Sequence, residues 1–340
     1  MAGKEHHHVW RMLQRGFGEK RGKDHHIWVY RKGLKPSQKG TGNFGVDRFF
    51  YGPEGSETDR RITELENTLQ SDIQRTRKLD AGTKLDAEFV APLIVLLEIR
   101  SNFLRSELSN LTGRMLMELG KHFSSAEKVR AMMKDYLRKN PKTVDALLTK
   151  SLVPANQRDY ASKLFEVYID NLPPDATSDL FSEKIADIVQ MAQLVPESIK
   201  EAHNKSILSI ESNSPRIKAL EEFTFTVYRP RRGQLILPDT CIAFAGPKNA
   251  SPFSQPKDKM RTVITPISAE VAIIGQRGEI MPMELKSINR LLAGCAFDAF
   301  ISKDCDPKLD ALVGRIGKFS KLISDKEVRE LFSFERLLSG

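Results

Sequence analysis

The hydrophobic period of the chain changes twice. Up to about residue 55 the apolar positions are short, aromatic and β-forming. Ile27 to Tyr30 ("IWVY") predicts a strand. The stretch after it, "RKGLKPSQKGTGNFG", has four glycines and a proline, the composition of turns, and "VDRFFYG" predicts a second short extended piece. From about 57 to 214 the spacing is helical. Ile62, Leu65, Leu69 and Ile73 share one face and Gly82 stands near the stop. "KLDAEFVAPLIVLLEIRSNFLRSELSNLTGRMLMEL" is apolar on nearly all sides. It predicts a buried central helix with Asp86 as cap and Pro92 tolerated near its first turns. Amphipathic helices are predicted at about 124–139, 156–171 and 176–195, punctuated by Pro141, Pro154, the Pro173–Pro174 pair and Pro196.

Near Leu220 the period drops to two. In "EFTFTVYRP" Phe223, Phe225 and Val227 alternate with threonines, and "GQLILPD", "CIAFAG", "RTVITPI" and "AEVAIIG" predict further short strands. "GPKNASPFSQPKDKM" between them is a polar loop. From Met283 the pattern returns to helix through "ELKSINRLLAGCAFDAFIS", followed by two shorter helices. This order alternates too coarsely for a doubly wound sheet. The prediction is an α+β fold: a mixed or antiparallel sheet from N-terminal and C-terminal strands, with a large central helical region. Pairing of "IWVY" with the third region would make residues 7–302 a single domain (1–55, 57–214, 220–275 and 283–302 in turn), with C-terminal helices over 303–340.

Of the 340 residues, 40% are hydrophobic and 29% charged, ordinary for a globular chain. The longest apolar stretch, Phe89 to Leu97, is about half of what a membrane span needs, so no membrane partner is expected. Cys241, Cys295 and Cys305 make an odd count without a CxxC spacing. That argues against a disulfide framework and points to a reducing cytoplasm. The charge is local: residues 1–48 hold 11 Lys/Arg against 4 Asp/Glu, and the rest hold 42 against 40. A basic segment of this kind attracts phosphates or acidic partners.

"HHHVWRMLQRGFGEKRGKDHHIWVYRKG", residues 6 to 33, holds five of the seven histidines and both tryptophans. His6, His7 and His8 are adjacent, and no convergent third and fourth ligand accompanies them, so no metal site is predicted. Gly40, Gly42 and Gly45 give a GxGxxG spacing, but no amphipathic helix follows, and a loop is the better reading. No cofactor is expected. Arg100 on the apolar helix requires a carboxylate or phosphate partner, because an unpaired buried guanidinium is costly. Asp239 and Ser268 each follow a predicted strand, where sites collect, although Asp239 could equally form an Asx turn with Thr240.

Several stretches, taken in order, resemble a known family. They are "HHVWRMLQRGF" (His7 to Phe17), "IWVYRKG", "DRRITELE" (Asp59 to Glu66), "LLEIRSNFLR" (Leu96 to Arg105), "LILPDTCIAF" (Leu235 to Phe244), "ITPISAEVAI" (Ile264 to Ile273) and "SINRLLAGCAFDAFIS" (Ser287 to Ser302). Their succession over about 7–302 resembles the bacterial family catalogued as domain of unknown function 4238. The resemblance implies functional positions at His7, Arg100, Asp239, Pro266 and Ser268. This chain departs from the pattern at Trp10, where proline is usual, and at Pro238 and Cys241, which replace the serine and proline flanking the aspartate. The family name settles no activity.

Two functions remain open, and the residues do not decide whether the chain is an enzyme. One is a nucleic-acid-acting protein, an RNA-directed effector or nuclease. Its catalytic set would be His7, Arg100, Asp239 and Ser268, and its binding surface Trp10, Arg11, Arg15, Trp28, Tyr30, Arg31, Lys32 and Arg48. In that reading His7 is the working histidine, and His6, His8, His25 and His26 lie at the surface. The other is a non-catalytic binding or regulatory protein. A weaker third has Arg100 anchoring an anionic small molecule at the floor of a pocket. The oligomeric state is left open.

Overall fold

The computed structural model describes residues 5–210, 214–247, 249–254 and 260–331. It divides into two compact units, one of Met1–Leu108 with Ile199–Leu322 and one of Ser109–Ser198 with Ile323–Gly340. Strand pairing alone predicts one domain over 7–302; the structure sets most of the helical middle apart as a unit of its own.

The chain opens with β1 (Glu5–His7), α1 (Arg11–Arg15), β2 (Glu19–Arg21), β3 (Asp24–Arg31), β4 (Ser37–Gly40) and β5 (Val46–Arg48). Next come α2 (Glu57–Thr76), β6 (Lys84–Leu85), α3 (Ala87–Ile99), α4 (Asn102–Phe123), α5 (Ala126–Lys139), α6 (Pro141–Lys150), α7 (Arg158–Asp170) and α8 (Pro174–Leu208). They are followed by α9 (Pro215–Glu221), β7 (Thr224–Tyr228), β8 (Leu237–Pro238), β9 (Ala243–Ala245), β10 (Ala250–Ser251), β11 (Thr262–Ser268) and β12 (Val271–Gln276). Last are α10 (Leu285–Cys295), β13 (Ala299–Ser302), α11 (Pro307–Val313) and α12 (Asp325–Leu331). The fold is α+β, with antiparallel sheets and a large helical region.

In the first unit one sheet runs β10-β9-β11-β12-β7-β6. Every residue of β12 is buried, as its apolar run "VAIIG" dictates, while β7 alternates with Phe225 and Val227 inward. Helix α3 covers this sheet with Val90, Leu93, Ile94 and Leu97 fully buried. A second sheet runs β2-β3-β13-β8, with β4 also on β3. Its central pairing sets Tyr30 opposite Phe300 and Trp28 opposite Ser302, and β8 of the predicted third-region strands joins through β13, so segments from both ends of the chain meet in one sheet. In the second unit the buried apolar residues described are few: Val129, Ile169, Leu172, Val195 and Val328. Helix α12 belongs there, with Asn110 Nδ2 donating to the Ile323 carbonyl at 2.9 Å.

Three expectations change. The segment read as helix through Ser302 stops at Cys295 and continues as strand β13, because Ala296 is extended and the Asp239 carboxylate takes the next backbone N–H groups. The long apolar segment is two helices, broken at Arg100–Ser101. Pro196 does not end a helix: α8 runs through it. Residues 248 and 255–259 of the predicted polar loop lie outside the described residues. All three cysteines are free. Among the described residues no helix is long and apolar enough to cross a membrane.

Gly275 shows how closely the first sheet packs. A Cβ there would sit 2.4 Å from Phe225 Cε1 and 2.7 Å from Val263 Cγ1. Gly275→Ala therefore overfills the sheet and is expected to lower stability by about 1–3 kcal/mol. A urea midpoint equal to wild type would contradict this packing.

Candidate functional site

Strand β1 pairs with β5, setting His6 opposite Asp47 and His7 opposite Val46. Around it the sequence-predicted residues distribute themselves unevenly. The Arg100 side chain is 1% exposed, and its Nη1 donates to Glu66 Oε1 at 2.6 Å while Nη2 donates to the His7 carbonyl. Burial works against its charge, but Tyr51 and Glu66 beside it outweigh burial and raise its pKa. The buried cation thus has its required carboxylate within the chain. His7 meets Arg100 through its backbone, with its ring half-buried. Burial lowers the His7 pKa, the Phe44 carbonyl opposes this, and Arg11 and Arg100 reinforce it.

Asp239 is buried and accepts from the N–H groups of Phe297, Asp298 and Ala299 at 2.7, 2.7 and 3.0 Å. Burial pushes its carboxyl up to about 6, the three N–H groups pull it down, and neighbouring Asp298 adds to the rise. It makes no Asx turn with Thr240, whose hydroxyl donates to the Cys295 carbonyl at 3.0 Å. Cys241 has a left-handed φ of 62°. Proline cannot adopt that angle. Ser268 sits beyond the β11 bulge, its Oγ accepting from the Glu270 N–H at 3.2 Å. Arg77 ties down the same turn through the Ile267 carbonyl, with bonds of 2.9 and 2.7 Å.

Two cavities open near β1. One, of about 300 Å³, is lined by His6, His7, Arg11, Tyr51, Glu66 and Arg100. The other, of about 470 Å³, is lined by His8, Arg31, Asp47, Phe103, Asp239 and Phe297, among others. His7 and Arg100 face the first and Asp239 the second, while Ser268 lines neither. The four residues expected to act together share no cleft. Arg100 does line a cavity, but Glu66 and the His7 carbonyl already take its Nη1 and Nη2, and its Nε is buried out of reach of solvent without a hydrogen-bond partner, which leaves a poor anion anchor.

The expected nucleic-acid residues also divide. Trp10 and Tyr30 are core residues, 4% and 0% exposed, and cannot stack on bases. Tyr30 stacks on Phe300 at 4.9 Å and its hydroxyl accepts from the Asp306 N–H at 3.0 Å. Aromatic rings in a strand serve a core as readily as a ligand, and here the core takes them. Trp28 is half-buried. Arg11 pairs with Asp24 at 3.1 Å and Arg31 with Asp298 at 3.0 Å. Arg15, Lys32 and Arg48 are exposed.

Two histidines expected at the surface are inside. His6 is 4% exposed, accepts the Tyr51 N–H on Nδ1 at 2.9 Å, and lies 3.6 Å from Asp59. Burial lowers its pKa, with Asp59 and Glu54 opposing. His8 Nε2 stands 3.6 Å from Asp47, and burial, with Arg100, His7 and Arg105, drives its pKa down to about 3. His203, which no sequence motif singles out, is 2.8 Å from Arg105 Nη2, and burial followed by Arg105 lowers it to about 4. Arg105 also covers the Phe50 ring at 3.6 Å. Glu98, likewise unforeseen, is buried and accepts Ser254 Oγ at 2.7 Å and Arg216 Nη1 at 3.3 Å; burial raises its pKa against both partners. The FFY run at 49–51, which packs against His6, His8 and His203, is the available signal for an interior there.

Among the described residues no group of three His, Cys, Asp or Glu side chains is placed to hold a metal ion. No family model, curated protein or solved structure matches the chain, so the resemblance to the domain of unknown function 4238 family rests on its motifs alone.

Removing one partner of a buried ion pair strands the other. Arg100→Met is expected to cost about 3–5 kcal/mol, and Glu66→Leu added to it should recover part of the loss. Urea unfolding of both variants checks this; a double variant less stable than the single one would refute the pairing. The histidines set the acid response. Their folded pKa values of about 3 for His8 and about 4 for His203 lie below the ordinary 6.5, so the unfolded chain binds the extra protons. Both therefore contribute stability above pH 6.5 that is lost as pH falls toward 4 and 3. Asp239, raised from 3.8 to about 6, contributes in the opposite sense, and its share is lost as pH rises through that window. His6 and His7 are lowered in the same sense and Glu98 is raised like Asp239, so depressed histidines outnumber raised carboxyls and stability should fall on acidification from pH 7 to 5, by up to about 1.4 kcal/mol per pH unit for each proton bound. His8→Gln should flatten that slope, as read by urea unfolding at the two pH values.

Proposed function

We propose that the chain is a nucleic-acid-binding protein, with single-stranded RNA as the first class to test, and that His7, Arg100, Asp239 and Ser268 are structural rather than catalytic. The observation that carries the proposal is the pair of basic turns at the two ends of β3 in the second sheet. Lys20, Arg21 and Lys23 are exposed at the β2–β3 turn, and Lys32 and Lys35 are exposed at the β3–β4 turn. Of these five, only Arg21 makes an ion pair among the described residues, with Glu19 at 2.7 Å. The two turns lie at opposite ends of the eight-residue β3, roughly 26 Å apart at about 3.3 Å per residue. A phosphate backbone laid along this strand would meet cations at both ends, with the half-buried Trp28 between them for stacking.

Turnover gains no comparable support. Asp239 is engaged by three N–H donors, Arg100 by Glu66, and the two face different cavities. The proposal is tested by fluorescence anisotropy with a labelled single-stranded RNA at two salt concentrations. Wild type should bind with an affinity that falls steeply with salt. The variant K20E/K23E/K32E/K35E should weaken binding by about tenfold or more and flatten the salt slope by roughly 0.7 for each phosphate it no longer neutralises. Trp28→Ala should cost about 1–3 kcal/mol, while His7→Ala should change nothing. Absence of binding at low salt, or a charge-reversed variant that binds like wild type, would overturn the proposal, and RNA cleavage lost on His7→Ala would restore the enzyme.

A further inference from the structure

The second unit holds many apolar side chains and buries few. Among its described residues, Val129, Ile169, Leu172, Val195 and Val328 are the buried apolar ones. So small a core offsets little of the backbone entropy lost on ordering helices, roughly 1–2 kcal/mol per residue. The unit therefore gains from any contact that takes more apolar surface out of water. Helix α7 presents that surface in its most regular form.

This helix is apolar on two sides. Ile169 is its one buried residue, and Phe165, one turn earlier, lines a cavity with Leu137 of α5 and with Val144 and Leu148 of α6. Those two positions mark the inward side. Tyr160, Leu164, Val167 and Tyr168 follow one another at i, i+4, i+7 and i+8 and form a single stripe turned away from it. They are 68%, 50%, 56% and 62% exposed. A stripe at this spacing is the surface a helix offers to another helix. At roughly 150–250 Å² for a whole aromatic side chain, the four residues expose on the order of 500 Å². Two such stripes facing each other would remove about 1,000 Å² from water, the size at which specific interfaces begin.

The charges on α7 narrow the choice of occupant. Asp159, Lys163, Glu166 and Asp170 all lie to one side of the stripe and are acidic on balance, which is the wrong sign for an anionic lipid surface. The stripe itself holds no charge, so it can meet its own copy without a like-charge contact, as a two-fold interface requires. A face this apolar suits a permanent, core-like interface, and the partner present whenever the chain is made is another copy of it.

We propose that the chain forms a two-fold homodimer through α7, with Leu164 at the centre of the contact and Tyr160, Val167 and Tyr168 packed around it. This contact is independent of the basic turns on β3 and of the RNA-binding reading.

Sedimentation equilibrium of the full chain, at concentrations up to roughly 100 μM, tests the proposal. Wild type should show twice the mass of one chain and dissociate on dilution. Leu164→Glu places a charge at the centre and should weaken the dimer about a hundredfold or more, with unchanged circular dichroism. Leu152→Glu, at an exposed apolar position of the same unit outside α7, should leave the dimer intact. Leu164→Cys keeps a small apolar side chain and reads the contact directly. In a Cys305→Ser background the remaining native cysteines are buried, so mild oxidation should link two chains through position 164. A single-chain mass for wild type throughout, a Leu164→Glu variant that dimerises as wild type does, or no cross-link through Leu164→Cys would each overturn the proposal.

Discussion

The Arg100 guanidinium is a full positive charge held almost entirely out of water, and β1 is placed by how that charge is satisfied. Glu66 reaches it from α2, and the His7 carbonyl reaches it from β1. The pair therefore ties three segments that have no continuous hydrogen-bonded ladder between them. Such an interaction is worth little as net stabilisation, since desolvation offsets most of the attraction. Its importance is in register: with His7 fixed at the guanidinium, His6 is directed to Tyr51 and Asp59, and His8 to Asp47. Both cavities inherit their walls from that placement.

Asp239 plays a matching part elsewhere in the first unit. Its two carboxylate oxygens gather three successive N–H groups just after α10, at the point where the chain must change from helix to strand. The Ala299 N–H would otherwise be a buried donor without an acceptor, a penalty comparable to a lost hydrogen bond. Once the three N–H groups are held, Ala299–Ser302 can pair with β3, and the sheet closes across the two ends of the sequence. The carboxylate also lines the cavity beside His8, so one side chain serves both the turn and a cavity wall.

Much of this is legible in the residue pattern, and the failures have identifiable causes. Alternation in "EFTFTVY" and the apolar run "VAIIG" are local signals, and both form strands. The need for a partner at Arg100 is also readable, because the physics of a buried charge does not depend on knowing the fold. "AFIS" reads as helix because nothing near it marks a boundary; the group that ends the helix, Asp239, lies 58 positions upstream of Phe297. The break at Arg100–Ser101 has neither glycine nor proline to announce it. Trp10 and Tyr30 resemble stacking platforms because composition cannot distinguish a ring facing solvent from one facing a core. His6 and His8 read as surface residues for the same reason.

Tyr30 and Asp306 meet although 276 positions separate them. During synthesis, β3 leaves the ribosome long before the strand that completes its sheet exists. Until then, one side of β3 offers free backbone groups to whatever approaches, and long-range closure of this kind is slow. The basic turns flanking that strand have a second use in this interval: like charges at both ends of an open edge oppose pairing with another nascent copy. The same lysines that suit a phosphate backbone in the finished molecule would thus discourage aggregation while it is being made.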